Sequence, residues 1–326
     1  MNRPVLTMFI VLLSAIAMSC HRGGRTTVIK LGHALDQTHP VHHAMVYMAQ
    51  QVSDKSDGTL RIDIYPSQQL GDERELLELL QIGSVEMAKV SAGTMEGFIP
   101  AYKALGLPYM YRDEAHRFKV LEGEIGKQLL LSCEKYWLRG LCYYDAGSRS
   151  FYTKEKPILS PADLEGMKIR TMESPTAVQM IQLLGGSATP IAWGELYTAL
   201  QQGVVDGAEN NPPSFHLSRH YEVCKHYSID EHTSIPDVLI INTLFWQDLS
   251  PQEQSWVQEA ADESIQHQKQ LWKEASEKAM AEVQANGVKV YYPDKAAFAR
   301  KVDGIYEEYR DQPEIYDLIQ RIKAVD

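Results

Sequence analysis

A short module occurs twice in this chain, over residues 75–88 and again over 195–208. Both copies begin with Glu-Leu, continue with Leu-Gln, and then place a glycine, a valine, an acidic residue and an alanine at matching positions. The order predicts a helix that ends at Gly83 or Gly203, where a residue past the helix needs positive φ. Two such copies predict two related α/β lobes, unless a common helix-turn-strand unit has recurred by coincidence.

Each predicted helix leads into a predicted strand, over 84–91 in the first copy and 204–210 in the second. Ligands of open α/β sheets lie beyond the carboxyl ends of the strands. We therefore expect the segments that follow, 91–94 and 210–214, to face a shared cleft.

A long helix is predicted near the carboxyl end. Ser250 and Glu253 have the spacing of a capping box around Pro251, and no glycine or proline follows until Gly287. About 35 residues at 1.5 Å each give a helix near 50 Å, which is longer than one lobe is wide. The helix is therefore predicted to cross both lobes, although an ordinary long packing helix has the same pattern.

The amino-terminal residues are typical of an export signal, because Arg3 precedes an apolar run over 5–18 that ends in small residues. Residues 1–20 are predicted as a signal peptide of the lipoprotein type, with Cys20 as the lipid-bearing cysteine and 21–26 as a flexible tether. Plain signal cleavage near the same place is the alternative. Either kind of signal peptide predicts a protein in the periplasm or on the outer face of a bacterial membrane.

Charge and cysteine content limit the possible partners. The net charge is −11 and no cluster of Lys and Arg occurs, which argues against nucleic acid or an anionic membrane surface. A lipid anchor is then the one expected attachment to a membrane. Cys133, Cys142 and Cys224 lack short C-x-x-C spacing, so buried free thiols are favoured over one disulfide or a zinc site.

Four ordered stretches resemble the solute-binding proteins of the tripartite ATP-independent periplasmic (TRAP) transporters. They are YPSQQLG (65–71), DLEGMKIR (163–170), PIAWGELYTALQ (190–201) and VDGAENN (205–211). The resemblance implies an α/β, two-lobed fold like that of other periplasmic binding proteins, with a hinge and a long helix crossing both lobes. The first lobe is predicted to comprise 27–146 and 236–274, and the second 147–235 and 275–326.

The resemblance also implies a function in transport. Such proteins capture a small organic acid and deliver it to a membrane permease that couples uptake to a sodium gradient. No cofactor, bound metal or catalytic residue is expected. A two-lobed enzyme is the rival class, but the sequence contains no G-x-S-x-G, P-loop, H-E-x-x-H or dinucleotide-binding pattern. A sensor subunit for a membrane receptor would have the same lobes.

Five candidate ligand-binding residues are expected on the second lobe. Arg170 ends a predicted strand, and a guanidinium binds a carboxylate through two parallel hydrogen bonds. The resemblance assigns this role to Arg170 and implies that Arg149 reaches the same anion or a nearby hydroxyl. Asn210 both donates and accepts, Asn211 binds ligand or simply forms a turn, and Trp193 stacks on the ligand or belongs to the core.

The other candidates are Glu73, His33, His39 and His232. Glu73 is expected either to accept hydrogen bonds from sugar hydroxyls or to be only a first-turn helix acid. A zinc site that uses His39 is disfavoured, because histidines spaced i, i+3 and i+4 do not easily meet one ion. So many donors and acceptors favour a sugar acid such as glucuronate or galacturonate, with sialic acid, a dicarboxylate or a keto acid as alternatives.

Overall fold

Two β-sheets, of five and six strands, organise the fold in a computed structural model that describes residues 26–326. Each sheet is packed between helices, which gives the two-lobed α/β architecture predicted from the repeated module. The predictions for the signal peptide, for Cys20 and for most of the tether lie outside the described residues.

The first sheet consists of β1 (Thr27–Gly32), β2 (Leu60–Tyr65), β3 (Met87–Ser91), β4 (Leu138–Tyr144) and β10 (Asp237–Asn242). Its strand order is β2-β1-β3-β10-β4. Strand β1 pairs in parallel with β2 and β3, whereas β10 runs antiparallel to both of its neighbours.

The second sheet consists of β5 (Arg149–Thr153), β6 (Lys168–Thr171), β7 (Ser187–Pro190), β8 (Gly207–Asn210), β9 (His226–Thr233) and β11 (Lys289–Tyr291). Its strand order is β11-β9-β5-β8-β6-β7. Strand β6 pairs in parallel with β7 and β8, and β5 runs antiparallel to β8 and β9.

The helices before the second sheet are α1 (Pro40–Lys55), α2 (Glu73–Gln81), α3 (Ala92–Met95), α4 (Lys103–Gly106), α5 (Glu114–Glu122) and α6 (Glu124–Ser132). Those that follow are α7 (Pro175–Leu184), α8 (Leu196–Gln202), α9 (Pro212–Leu217), α10 (Thr243–Asp248), α11 (Pro251–Ala285), α12 (Lys295–Val302) and α13 (Pro313–Lys323). No helix among residues 26–326 combines the length and the apolar character that crossing a bilayer requires.

The repeated module folds the same way in both lobes. Gly83 and Gly203 follow α2 and α8 with φ of +72° and +74°, so both glycines have the predicted left-handed conformation. Strands β3 and β8 begin three residues later than predicted. The reason is that the amides of Ser84 and Val204 still donate to carbonyls of the preceding helix, at 2.9 and 3.0 Å.

Helix α11 crosses both lobes, as predicted. The predicted capping box is present, with the Ser250 side chain accepting from the Glu253 amide and the Glu253 carboxylate accepting from the Ser250 amide. Near its start Val257 is buried with the apolar side chains of the first sheet, and near its end Val283 is buried with those of the second.

The carboxyl-terminal helix differs from the predicted lobe assignment. Residues 275–326 were expected in the second lobe, whereas the apolar face of α13 packs in the core of the first. Ile315, Ile319 and Ile322 are buried there with Leu76 and Leu129. The chain therefore crosses back to the first lobe after α12.

A buried carboxylate joins the lobes at the start of α7. Glu96 follows α3 of the first lobe, and its Oε2 atom accepts from the Thr176 amide at 3.0 Å. Its Oε1 atom is buried without a hydrogen-bond partner among the described residues. Burial raises the pKa of Glu96 to about 7, although hydrogen bonds from Thr176 and Ser174 and the charge of Lys103 oppose the rise.

Replacing Glu96 with glutamine should therefore change how stability depends on pH. Because the folded pKa is raised from 4.5, the stabilisation by protonated Glu96 is complete below about pH 4.5 and lost as pH rises through about 7. We expect Glu96→Gln to gain roughly 2 kcal/mol in unfolding free energy relative to wild type between pH 5 and pH 8. Urea unfolding at both pH values measures this difference.

The exposed Glu277 of α11 supplies the matched control. Glu277→Gln should follow the wild-type pH profile, since the Glu277 side chain is exposed on the surface of α11. A Glu96→Gln profile parallel to that of wild type would contradict a raised pKa at Glu96.

Candidate functional site

A small cavity of about 60 Å³ lies between the two sheets, where the repeated module predicts a cleft. Ser91 at the end of β3 and Asn210 at the end of β8 both line it. The cavity is therefore bounded by equivalent strand ends from the two lobes. The charged side chains of its wall determine which ligands it can bind.

Arg170 lies in β6 on the second-lobe wall and is 3% exposed. Its Nε group donates to the Ile191 carbonyl at 2.8 Å, which fixes the plane of the guanidinium. Its Nη groups have no hydrogen-bond partner among residues 26–326. Burial lowers the pKa of Arg170, but an arginine in a protein keeps its charge.

Arg149 lines the same cavity but is bound by neighbouring protein groups. It forms a paired contact with Glu209, in which Nε and Nη2 donate to the two carboxylate oxygens, and Nη2 also donates to the Glu209 carbonyl at 2.9 Å. A further bond joins Nη1 to Asn210 Oδ1 at 2.9 Å. The charge of Arg149 is thus already balanced within the second lobe.

Burial alone would raise the pKa of Glu209, but the Arg149 guanidinium and a hydrogen bond from His232 lower it to about 2. His232 lies behind this pair and does not line the cavity. Burial would lower the pKa of His232, whereas the Asp230 and Glu209 carboxylates raise it to about 9. The imidazolium donates to Asp230 Oδ2 at 2.9 Å and to Glu209 Oε2 at 3.4 Å. His232 therefore helps to position the Glu209 carboxylate that binds Arg149.

The two asparagines after β8 have different surroundings. Asn210 Oδ1 accepts from Arg149 and from the Asn211 amide, which leaves the Nδ2 donor of Asn210 without a partner among the described residues. Asn211 caps α9, because its Oδ1 accepts from the Ser214 amide at 2.9 Å. Both line the cavity, and Asn211 also forms the predicted turn.

Trp193 forms part of the cavity wall and is partly buried. The Arg170 guanidinium carbon lies 5.7 Å from the centre of its ring, within the range of a cation–π contact. The His220 ring lies 5.1 Å away. The tryptophan therefore holds the arginine side chain as well as presenting an apolar surface.

The first-lobe wall contains a triad of charged side chains, in which Lys89 and Asp237 are buried and Glu73 is partly buried. The Lys89 ammonium donates to Glu73 Oε1 and Asp237 Oδ1, both at 3.0 Å. Burial alone would raise the pKa of Glu73, but Lys89 and the hydrogen bonds from Ser91 and Thr94 lower it. Glu73 is the first residue of α2, so it is a first-turn helix acid, and its carboxylate is also an ionised member of the cavity wall.

The two candidate histidines of the first lobe have separate roles. His39 lines the cavity, and because its Nδ1 accepts from the Val41 amide, its Nε2 donates across the cleft to Ser214 Oγ at 3.3 Å. His33 lies outside the lining and donates instead to His42 Nδ1 at 3.0 Å. Burial lowers the pKa of His39 to about 3 and that of His33 to about 2, so both are neutral at pH 7.

The charges of the wall show what the cavity can bind. Lys89 is balanced by Glu73 and Asp237, and Arg149 is balanced by Glu209. Arg170 has no carboxylate within ion-pair distance among the described residues. A buried, unpaired guanidinium with free Nη donors favours an anion, and a carboxylate has the matching planar geometry.

Lys89, Asp237 and Glu209 were not among the candidates from the sequence. Each lies within a buried strand, where periodicity predicts a core side chain. A charged residue within a predicted buried strand could have indicated them, because charged side chains are rarely buried without a partner.

No group of three or more His, Cys, Asp or Glu side chains with metal-binding geometry occurs in the described part of the chain. Cys133, Cys142 and Cys224 are buried free thiols there.

Two lobes joined around a polar cavity, in which Arg170 has no ion pair among the described residues, are typical of a solute-binding protein for an anionic small molecule. Comparison with known proteins agrees, since residues 31–312 match the bacterial extracellular solute-binding protein, family 7 (DctP). The chain belongs to this family, whose members include the solute-binding proteins of TRAP transporters.

Several relatives cover almost the whole chain. A Salmonella typhimurium protein described as uncharacterized protein YiiZ is 38% identical over 315 residues, which are 96% of this chain and 95% of that protein. A TRAP solute-binding protein of Xanthobacter autotrophicus with bound β-D-galacturonate has 36% identity and a TM-score of 0.89, covering 91% of this chain and 100% of that one. One from Roseobacter denitrificans with bound β-D-glucuronate has 35% identity and a TM-score of 0.90, covering 92% and 100%.

Proposed function

We propose that this protein captures a hexuronate, such as D-glucuronate or D-galacturonate, and delivers it to a TRAP membrane permease. The unpaired guanidinium of Arg170 carries the proposal, because it provides a buried site for one carboxylate. The bound ligands of the solved relatives are hexuronates, which supports the same ligand class.

The other candidate residues have roles that fit a polyhydroxylated ring. Asn210 offers a free amide donor, Asp237 offers a carboxylate oxygen from the first lobe, and Trp193 offers a flat apolar surface. A sugar ring has apolar faces and hydroxyl groups at its edges, so it matches a wall that combines an aromatic surface with hydrogen-bonding groups. Arg149, Glu209 and His232 then act mainly by holding Asn210 and the wall in place.

The protein acts as a carrier and not as an enzyme under this proposal. Ligand should be recovered chemically unchanged after binding and release, and a converted product would favour the rival class. Export by the predicted signal peptide, with Cys20 as the possible site of lipid attachment, belongs to the same proposal. Mass spectrometry of the mature amino terminus tests both processing and lipidation.

Hexuronates should bind at least tenfold more tightly than succinate. The smaller dicarboxylate leaves donors and acceptors of the cavity unpaired, and a buried polar group without a partner penalises binding. Isothermal titration calorimetry with D-glucuronate, D-galacturonate, succinate, a branched keto acid and sialic acid measures the order of affinities. Tighter binding of succinate, the keto acid or sialic acid would replace the hexuronate with that ligand class.

A further inference from the structure

The buried ammonium of Lys89 has one hydrogen-bond donor left for a ligand. Lys89 is 2% exposed and lines the first-lobe wall, whereas Arg170 lies on the second-lobe wall. Two of its three N–H groups donate to Glu73 and Asp237. The third has no partner among residues 26–326.

Asp237 has the complementary free acceptor. Its Oδ1 atom accepts from Lys89, and its Oδ2 atom accepts no hydrogen bond from another described side chain. Glu73 differs, since its Oε1 accepts from Lys89 and its Oε2 accepts from the Ser91 amide at 3.0 Å and from Thr94 Oγ at 2.9 Å. The wall therefore presents one donor and one acceptor side by side, from Lys89 and Asp237.

The triad of Glu73, Lys89 and Asp237 carries a net charge of −1 when all three are ionised. Burial raises the pKa of Asp237, while the Lys89 ammonium 3.0 Å away opposes that rise and favours the carboxylate. A hydroxyl group both donates and accepts, so it satisfies Lys89 and Asp237 together. A carboxylate offers Asp237 no donor, and its charge is repelled.

We propose that Lys89 and Asp237 select a ligand with a hydroxylated far end and exclude one with a second carboxylate there. This inference rests on the proposed function, in which the first carboxylate is bound by Arg170. The site would accept uronic acids, which have one carboxylate, and reject aldaric acids, in which the other end of the sugar is also oxidised to a carboxylate.

Calorimetry with D-glucuronate and D-glucarate tests the inference. Wild-type protein should prefer D-glucuronate by roughly 100-fold, since an uncompensated like charge in a closed site costs several kcal/mol. Asp237→Asn removes one negative charge and leaves the Lys89–Glu73 ion pair, so the preference should fall at least tenfold. Because wild type and variant are measured with the same two ligands, effects of the open-chain form of glucarate cancel.

The exposed Asp248 of α10 gives the matched control, and Asp248→Asn should keep the wild-type preference. Equal binding of the two ligands by wild type would overturn the inference alone, and this measurement needs no variant to fold. An unchanged preference in folded Asp237→Asn, checked by its melting temperature, would also overturn it. Absence of binding by both ligands would instead overturn the proposed function, and the inference with it.

Discussion

Replacing Arg170 with alanine should weaken D-glucuronate binding by roughly 2 to 5 kcal/mol, or about 30-fold to 5,000-fold in Kd. Among the described residues of the cavity wall, Arg170 is the cation without an ion pair, and in its absence the ligand carboxylate would lie beside cations that are already paired with carboxylates. Arg170→Lys keeps the charge but loses the planar pair of Nη donors, so its affinity should lie between those of the wild type and Arg170→Ala. Calorimetry on the purified variants gives the three values.

The structure also predicts that Arg170→Ala folds normally. Among residues 26–326, Arg170 forms one side-chain hydrogen bond, to the Ile191 carbonyl, and its guanidinium has no ion pair to lose. Arg300, exposed on α12, supplies the control, and Arg300→Ala should bind as the wild type does. Near-normal affinity in Arg170→Ala would place the ligand carboxylate elsewhere and remove the central observation behind the proposed function.

The architecture could be predicted from the sequence because the residues that start and end its helices act locally. A glycine after a helix, a proline after a capping serine and an uninterrupted run of helix formers each act within a few residues. They placed the ends of α2, α8 and α11 nearly correctly. The position of α13 was missed, since its apolar face fits either core equally well by periodicity and only the tertiary arrangement selects the first lobe.

The site was accessible only in part, because charge pairing depends on side chains that are distant in sequence. Motif similarity assigned the carboxylate to Arg170 and implied that Arg149 reaches the same anion or a nearby hydroxyl, but it did not show that Arg149 is already neutralised. The difference between them lies in Glu209, which is 60 residues from Arg149 and binds it in the antiparallel pair of β5 and β8. No spacing along the chain distinguishes a neutralised arginine from a free one.

Removing Glu209 should strongly destabilise the second lobe. Glu209 is 1% exposed and accepts hydrogen bonds from both Arg149 and His232. Without it, two buried cations would remain close together with fewer acceptors, and breaking a buried ion pair in this way typically costs 3–5 kcal/mol. We expect Glu209→Ala to lower the unfolding free energy by about that amount in urea denaturation. The surface pair of Arg219 and Glu222 gives the control, since Glu222→Ala removes an ion pair that lies in solvent and should cost far less stability than Glu209→Ala.

A double variant separates the charge of Arg149 from its role at the ligand. If Glu209 acts by neutralising Arg149, then Arg149→Met combined with Glu209→Leu should be more stable than Glu209→Ala, because no unpaired guanidinium is left buried. Arg170 is intact in this double variant, so its residual affinity for D-glucuronate measures how much of the binding depends on Arg149 and its hold on Asn210. A double variant less stable than Glu209→Ala would mean that Arg149 stabilises the lobe through its hydrogen bonds to the backbone and to Asn210, with charge balance secondary.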